Sequence, residues 1–115
     1  MKTTGRATRL TVFVDETEVW HGRPLYTEIV HRAHAAGIAG ATALRAVEGY
    51  GAGGRLHTWR LLSLAQQLPI VIIVIDTTAK IEAFLGELDG VIHDGLITVD
   101  TVDVIHYQPD PDPLS

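Results

Sequence analysis

The stretch IVIIVID, Ile70–Asp76, constrains the fold more than any other part of the sequence. Its apolar run is far shorter than the roughly 20 residues that a membrane-spanning helix needs. Because every position before the aspartate is β-branched and apolar, a strand formed here buries both of its faces. We therefore predict a central strand of a sheet, with two apolar faces composed of Ile70, Ile72 and Val74 and of Val71, Ile73 and Ile75.

The segments before this strand follow a strand-helix-strand order. RLTVFV, residues 9–14, alternates and is β-branched, which predicts a strand. Pro24 suits the first position of a helix, and Gly37 suits the left-handed residue that follows the helix end. Gly40 then opens a second strand, ATALRAVEG. The apolar stripe of the helix consists of Leu25, Tyr26, Ile29, Val30 and Ala33.

The same order returns in the second half of the chain. A short helix is predicted between Thr58, as its N-terminal cap, and Pro69. A longer amphipathic helix follows IVIIVID, capped by Asp76, Thr77 or Thr78. Its stripe consists of Ile81, Phe84, Leu85, Leu88 and either Val91 or Ile92. LITVDTVDVIHY forms the last strand. Its apolar alternation changes phase, which predicts a bulge near Thr101.

Two βαβ halves of similar length predict an α+β, ferredoxin-like (βαββαβ) sandwich, with a four-stranded antiparallel sheet and two helices on one face. The predicted boundaries are a flexible leader at residues 1–8, the domain at 9–107 and a disordered tail at 108–115. Since both faces of IVIIVID are apolar and the helices cover one, we expect a partner subunit on the other.

Composition excludes several classes of function. The chain has 115 residues, no cysteine and a net charge of −5. Disulfides and thiolate chemistry are therefore excluded, and no basic surface suited to nucleic acid is expected. The first residues have no apolar signal segment, so we expect a cytoplasmic protein.

A glycine-rich segment, EGYGAGGRLHTWR, admits three interpretations. Gly49, Gly51 and Gly54 have the spacing of a dinucleotide-binding loop, with Asp76 placed to bind a ribose. The same glycines also suit a flexible connector. The third interpretation is an anion site, because the segment places exposed backbone N–H groups beside donor side chains. Its members are Gly49, Gly51, Gly53, Gly54, Arg55, His57 and Thr58.

The run from WHGRPLYTEIV through AVEGYGAGGRLHT, with LPIVIIVID and GLITVDTVDVIHY, resembles the PII-like family known as domain of unknown function 190. The resemblance covers about Arg9 to Tyr107 and implies a ferredoxin-like homotrimer that acts as a sensor without catalysis or cofactor. It also implies that Glu48–Leu68 is a T-loop, which contacts a target such as a membrane transporter or channel. The base of that loop is implied to bind a small anionic effector, such as an adenine nucleotide, between subunits.

The resemblance also identifies a B-loop, of the type Gly-x-x-Gly-Asp-Gly-Lys-Ile, before the last strand. Gly90, Asp94 and Gly95 match it, whereas His93 replaces the second glycine and Leu96 the lysine. Losing a charged phosphate donor costs about 1.5–3 kcal/mol. A mono- or diphosphate is thus favoured over a triphosphate, with Arg55 able to supply the missing charge.

Other polar residues suggest alternatives. His31 and His34 share a helix face with Glu28, which suits either a metal site or a solvated surface. Trp20, His21 and Arg23 can flank a ligand or pack at the core edge. A small trimeric enzyme that uses His57 or His93 as an acid-base group is the second function class.

Overall fold

A computed structural model describes residues 1–50, 56–58 and 68–110 of the chain. The strands and helices within these ranges are β1 Lys2–Asp15, β2 Val19–Trp20, β3 Arg23–Pro24, α1 Leu25–Ala35, β4 Gly40–Arg45, β5 Glu48–Tyr50, β6 Leu56–Thr58, β7 Pro69–Asp76, α2 Thr78–Leu88 and β8 Leu96–Tyr107. Among these described residues, no helix is long and apolar enough to cross a membrane.

The main sheet has four antiparallel strands in the order β4-β7-β1-β8. Both helices pack against one face of this sheet, so the predicted ferredoxin-like fold is confirmed. The strand β7 lies between β4 and β1, which also confirms the central position predicted for IVIIVID.

Strand periodicity divides the side chains of the sheet between a buried face and an open face. The helix-facing residues are at most 4% exposed, and they are Leu10, Val12 and Val14 of β1 with Ile70, Ile72 and Val74 of β7. The other side, here called the open face, carries partly exposed side chains that include Phe13, Val71, Ile73 and Ile75. The helices therefore cover only one of the two apolar faces predicted for IVIIVID.

The helix ends follow the predicted local chemistry. Pro24 precedes the first residue of α1, and Gly37 has a φ of +74° just beyond its end. Thr77 caps α2, because its hydroxyl accepts a hydrogen bond from the Lys80 N–H at 3.3 Å. Of the three caps that the sequence allowed, the structure selects the middle one.

The predicted bulge near Thr101 is wrong. β1 and β8 pair in one unbroken register from Lys2 opposite Tyr107 to Phe13 opposite Leu96. The apolar residues of this continuous strand change sides: Ile97 and Val99 lie on the helix-facing side, and Val102 and Val104 lie on the side of the open face. On the helix-facing side, Val99 is already 51% exposed and Ile105 is 58% exposed.

The chain termini also differ from the sequence prediction. Lys2–Thr8, expected within a flexible leader, form the first half of β1 and pair with Thr101–Tyr107. Cross-strand hydrogen bonds thus compensate for the polar composition of this segment. Gln108, in the expected tail, donates its backbone N–H to the Met1 carbonyl at 2.8 Å. Residues 111–115 of that tail lie outside the described residues.

Glu28 on α1 is buried, whereas the sequence suggested either a metal site or a solvated surface for it. It is 9% exposed, and Arg32 Nε donates to its Oε2 at 2.7 Å. Arg23 Nη1 lies 3.4 Å from Oε1. The hydrogen bond from Arg32 lowers the pKa of Glu28 below its ordinary value of 4.5, against the opposing effect of burial. The ionised carboxylate therefore stabilises the fold.

Glu28→Gln is expected to lower the free energy of unfolding at neutral pH. Because the folded-state pKa is depressed, the contribution of wild-type Glu28 is complete above pH 4.5 and is lost as the pH falls through the folded-state pKa. The difference between wild type and variant should therefore shrink in acid. Urea unfolding across this range measures it, with Glu82→Gln on the exposed side of α2 as the matched control. A difference that stays constant with pH would contradict the ion-pair explanation.

Candidate functional site

The two predicted ligand loops leave the same end of the sheet. The register places Asp15 opposite Pro69 and Arg45 opposite Ile70, so β1 and β4 end where β7 begins. Phe13 lies opposite Leu96, the first residue of β8. The segment between β4 and β7 and the turn before β8 consequently share this end, as the T-loop and B-loop assignments require.

Backbone hydrogen bonds fix the root of the first segment. Ala46 N–H donates to the Pro69 carbonyl at 2.9 Å, and Glu16 N–H donates to the Leu68 carbonyl at 2.9 Å. Leu68 is 1% exposed, so the chain is anchored in the core where it rejoins the sheet. The point of departure and the point of return of the segment are therefore held against the end of β1.

Part of the glycine-rich segment forms a short antiparallel ladder between β5 and β6. Gly49 pairs with His57, and Glu48 pairs with Thr58. Thr58 therefore ends a strand, and the helix that it was predicted to cap begins outside the described residues. The remaining proposed ligands, Gly51, Gly53, Gly54 and Arg55, lie outside the described residues, as does most of the short helix expected before Pro69.

The turn before β8 carries the predicted B-loop residues. His93 and Asp94 are exposed, and Leu96 is 58% exposed at the position of the expected lysine. A Cβ added to Gly95 would lie 2.8 Å from the Phe13 carbonyl oxygen, whereas one added to Gly90 would meet nothing within 4 Å. Gly95 therefore has a packing role, because it lets the turn approach the backbone of β1.

The dinucleotide interpretation fails on the position of Asp76. This residue ends β7, whereas the glycine-rich segment leads into its beginning, seven residues or about 23 Å away at strand geometry. Its carboxylate accepts hydrogen bonds from Ala39 N–H at 2.9 Å and from Thr77 N–H at 2.6 Å. Asp76 thus joins the second βα turn to the start of β4, at the opposite end of β7 from the point where the glycine-rich segment rejoins the sheet.

An ion pair that the sequence analysis missed lies at the loop end of the sheet. Arg45, the last residue of β4, pairs through Nη2 with the Oε1 atom of Glu16. Arg45 also lines a cleft of about 210 Å³ together with Tyr26, Ala43, Leu44 and Ile70. The sequence offered little indication of this ion pair, because 29 residues separate Glu16 from Arg45. The two side chains meet only because β4 takes its place in the sheet.

The cluster around Trp20 packs on α1. His21 and Gly22 both have positive φ, +47° and +84°, which forms a tight turn between β2 and β3. The rings of Trp20 and His21 stack at 4.3 Å, and the Arg32 guanidinium lies 5.6 Å from the Trp20 ring. The structure thus favours the packing interpretation of these residues.

In the metal site suggested for His31, His34 and Glu28, the carboxylate of Glu28 is not available as the third ligand. Arg32 and Arg23 contact the two carboxylate oxygens of Glu28. Within residues 1–50, 56–58 and 68–110, no group of three or more His, Cys, Asp or Glu side chains is arranged to hold a metal ion.

Comparison with known proteins gives a consistent family. The model of the family DUF190, described as uncharacterized ACR, matches residues 7–104. A UPF0166 protein of Aquifex aeolicus is 40% identical over 97 residues, covering 84% of this chain and 91% of the relative. A second UPF0166 protein of that organism is 30% identical over 77 residues, covering 67% and 80%.

Solved structures with the same fold are PII-like proteins. CPII of Thiomonas intermedia K12, a nitrogen regulatory PII-like protein bound to ADP, AMP and bicarbonate, has a TM-score of 0.67 at 17% identity, covering 89% of this chain and 91% of CPII. A putative PII-like signaling protein of Thermus thermophilus has a TM-score of 0.60 at 16% identity, covering 88% and 90%. These similarities establish the fold.

Proposed function

Because the chain belongs to the DUF190 family and has the fold of PII-like signalling proteins, we propose that it is a regulatory protein without catalytic activity. It binds a small anionic effector, an adenine nucleotide, and responds through the segment between β4 and β7. The observation that carries this proposal is the shared position of the two loops, since the register brings both to one end of the sheet.

The proposed ligand contacts are those suggested by the sequence. They comprise backbone and side-chain donors of Gly49, Gly51, Gly53, Gly54, Arg55, His57, Thr58, Gly90, His93, Asp94 and Gly95. Leu96 supplies no charge, so AMP or ADP is favoured over a triphosphate. The ligands of CPII, which include ADP and AMP, support this class of effector.

The proposed assembly is a homotrimer with the effector sites between subunits. The open face supports it, because Val71, Ile73 and Ile75 are only half-buried there and Leu44 is 52% exposed. An apolar face of this kind is expected to be covered. The partner that the segment between β4 and β7 regulates is proposed to be a membrane transporter or channel.

Calorimetric titration with AMP, ADP and ATP tests the ligand class. We expect AMP or ADP to bind at least as tightly as ATP, because the position of the phosphate-binding lysine holds leucine. Absence of binding by all three would refute the nucleotide proposal. The same samples, analysed after long incubation, separate a sensor from an enzyme, since a sensor leaves its ligand intact and turnover would favour acid-base catalysis by His57 or His93.

A further inference from the structure

The open surface depression beside Arg45 places apolar side chains next to a cationic group. Tyr26, Ala43 and Ile70 supply an aromatic ring and aliphatic surface, and Arg45 supplies a charge that is half-exposed. Tyr26 lies in the first turn of α1, near the end of the helix where the backbone carries partial positive charge. Pro24, which precedes this turn, provides no side-chain cap.

Resting on the proposed function, we infer that Arg45 binds the phosphate group of the effector and that Glu16 is an internal anion competing for it. A guanidinium binds carboxylate and phosphate with the same forked geometry. Glu16 therefore occupies Arg45 when no effector is present, and a phosphate carrying more charge displaces it.

The neighbouring charged residues make Arg45 the best candidate for binding a phosphate group. Among the described cations near this end of the sheet, Arg23 and Arg32 both contact the buried carboxylate of Glu28. Their release would leave that carboxylate buried without a partner, which is costly. The side chain of Glu16 is 19% exposed and already borders solvent, so losing Arg45 leaves it able to hydrate.

The location of the pair links effector binding to the neighbouring segment. Glu16 N–H bonds to the Leu68 carbonyl, and Ala46, the residue after Arg45, bonds to Pro69. When Arg45 leaves Glu16 and binds a phosphate, the change takes place next to the two backbone hydrogen bonds that hold the root of the segment between β4 and β7.

The test compares adenosine, AMP and ADP binding to Arg45→Gln and Glu16→Gln by calorimetry. Arg45→Gln is expected to weaken AMP and ADP about tenfold or more and to leave adenosine unchanged. Glu16→Gln is expected to tighten AMP and ADP several-fold, because the competing charge is gone. This second variant retains a folded protein even if replacing Arg45 disturbs β4.

Matched controls remove the same charges elsewhere. Arg6→Gln acts on the exposed first half of β1, and Glu18→Gln acts two residues from Glu16, on a carboxylate that forms no ion pair with a described residue. Neither should change AMP affinity. Wild-type affinities in both site variants would overturn the inference and leave the proposed function intact. Failure of the unmutated protein to bind AMP or ADP would overturn both.

Discussion

Replacing Ile73 by glutamate is expected to convert the proposed homotrimer into a folded monomer of 12.5 kDa. Ile73 lies at the middle of β7 on the open face, opposite Thr11 of β1 and Thr42 of β4. In an isolated subunit the new carboxylate remains in contact with water, so the fold tolerates it. Covered by a partner subunit, it is an unpaired charge whose desolvation costs several kcal/mol in each copy.

Light scattering at micromolar concentration measures this change, with circular dichroism to verify the fold. Ile105→Glu is the matched control, because Ile105 is 58% exposed on the opposite face of the sheet. The control should keep the mass of the wild-type assembly. If the wild-type protein itself has the mass of a single chain, the open face is not covered by a second copy. An unchanged assembly in Ile73→Glu would place the contact elsewhere.

The sheet was predictable because its determinants are local. Alternating or continuous apolar patterns identified the four main strands, and Pro24, Gly37 and Thr77 act through their own backbone angles or nearest neighbours. In each case, the residues that form the sequence pattern are also the residues that determine the local structure. The central position of β7 followed for the same reason, since a strand that is apolar throughout has no face suited to water.

The errors arose where distant residues decide the structure. The polar start of β1 is a strand because β8 pairs with it. The sequence of residues 2–8 alone does not indicate that a partner strand is present. The phase change in β8 was attributed to a bulge, although the strand pairs with β1 without interruption and its apolar residues change from one side to the other. Neither effect is visible in a window of neighbouring residues.

The candidate site shows the same division. The resemblance located both loops, whereas the Glu16–Arg45 pair and the arginines around Glu28 required the register and the helix packing. Gly95 was assigned a ligand role from the motif, and the structure adds a steric one. A glycine in a binding motif can therefore be required by packing alone, which mutagenesis can separate from ligand binding.

Gly95→Ala is expected to lower the free energy of unfolding by about 2 kcal/mol. The added methyl group would lie 2.8 Å from the Phe13 carbonyl oxygen, 3.2 Å from Val14 Cγ1 and 3.3 Å from Ile92 Cγ2. The nearest atom is backbone in a central strand, so the turn must shift. Overpacking of this kind costs about 3 kcal/mol. Reduced chain entropy in the unfolded state returns up to about 1 kcal/mol.

Gly90→Ala is the matched control for this change, since a Cβ there meets nothing within 4 Å. Its stability should stay within about 0.5 kcal/mol of wild type. Denaturant unfolding of both variants, followed by AMP titration of wild type and Gly95→Ala under conditions where both are folded, distinguishes the two roles of Gly95. Equal stability of the two variants would contradict the steric role. Lost stability with unchanged affinity would assign Gly95 to packing, whereas loss of both shows that the close approach to β1 also positions the turn for its ligand.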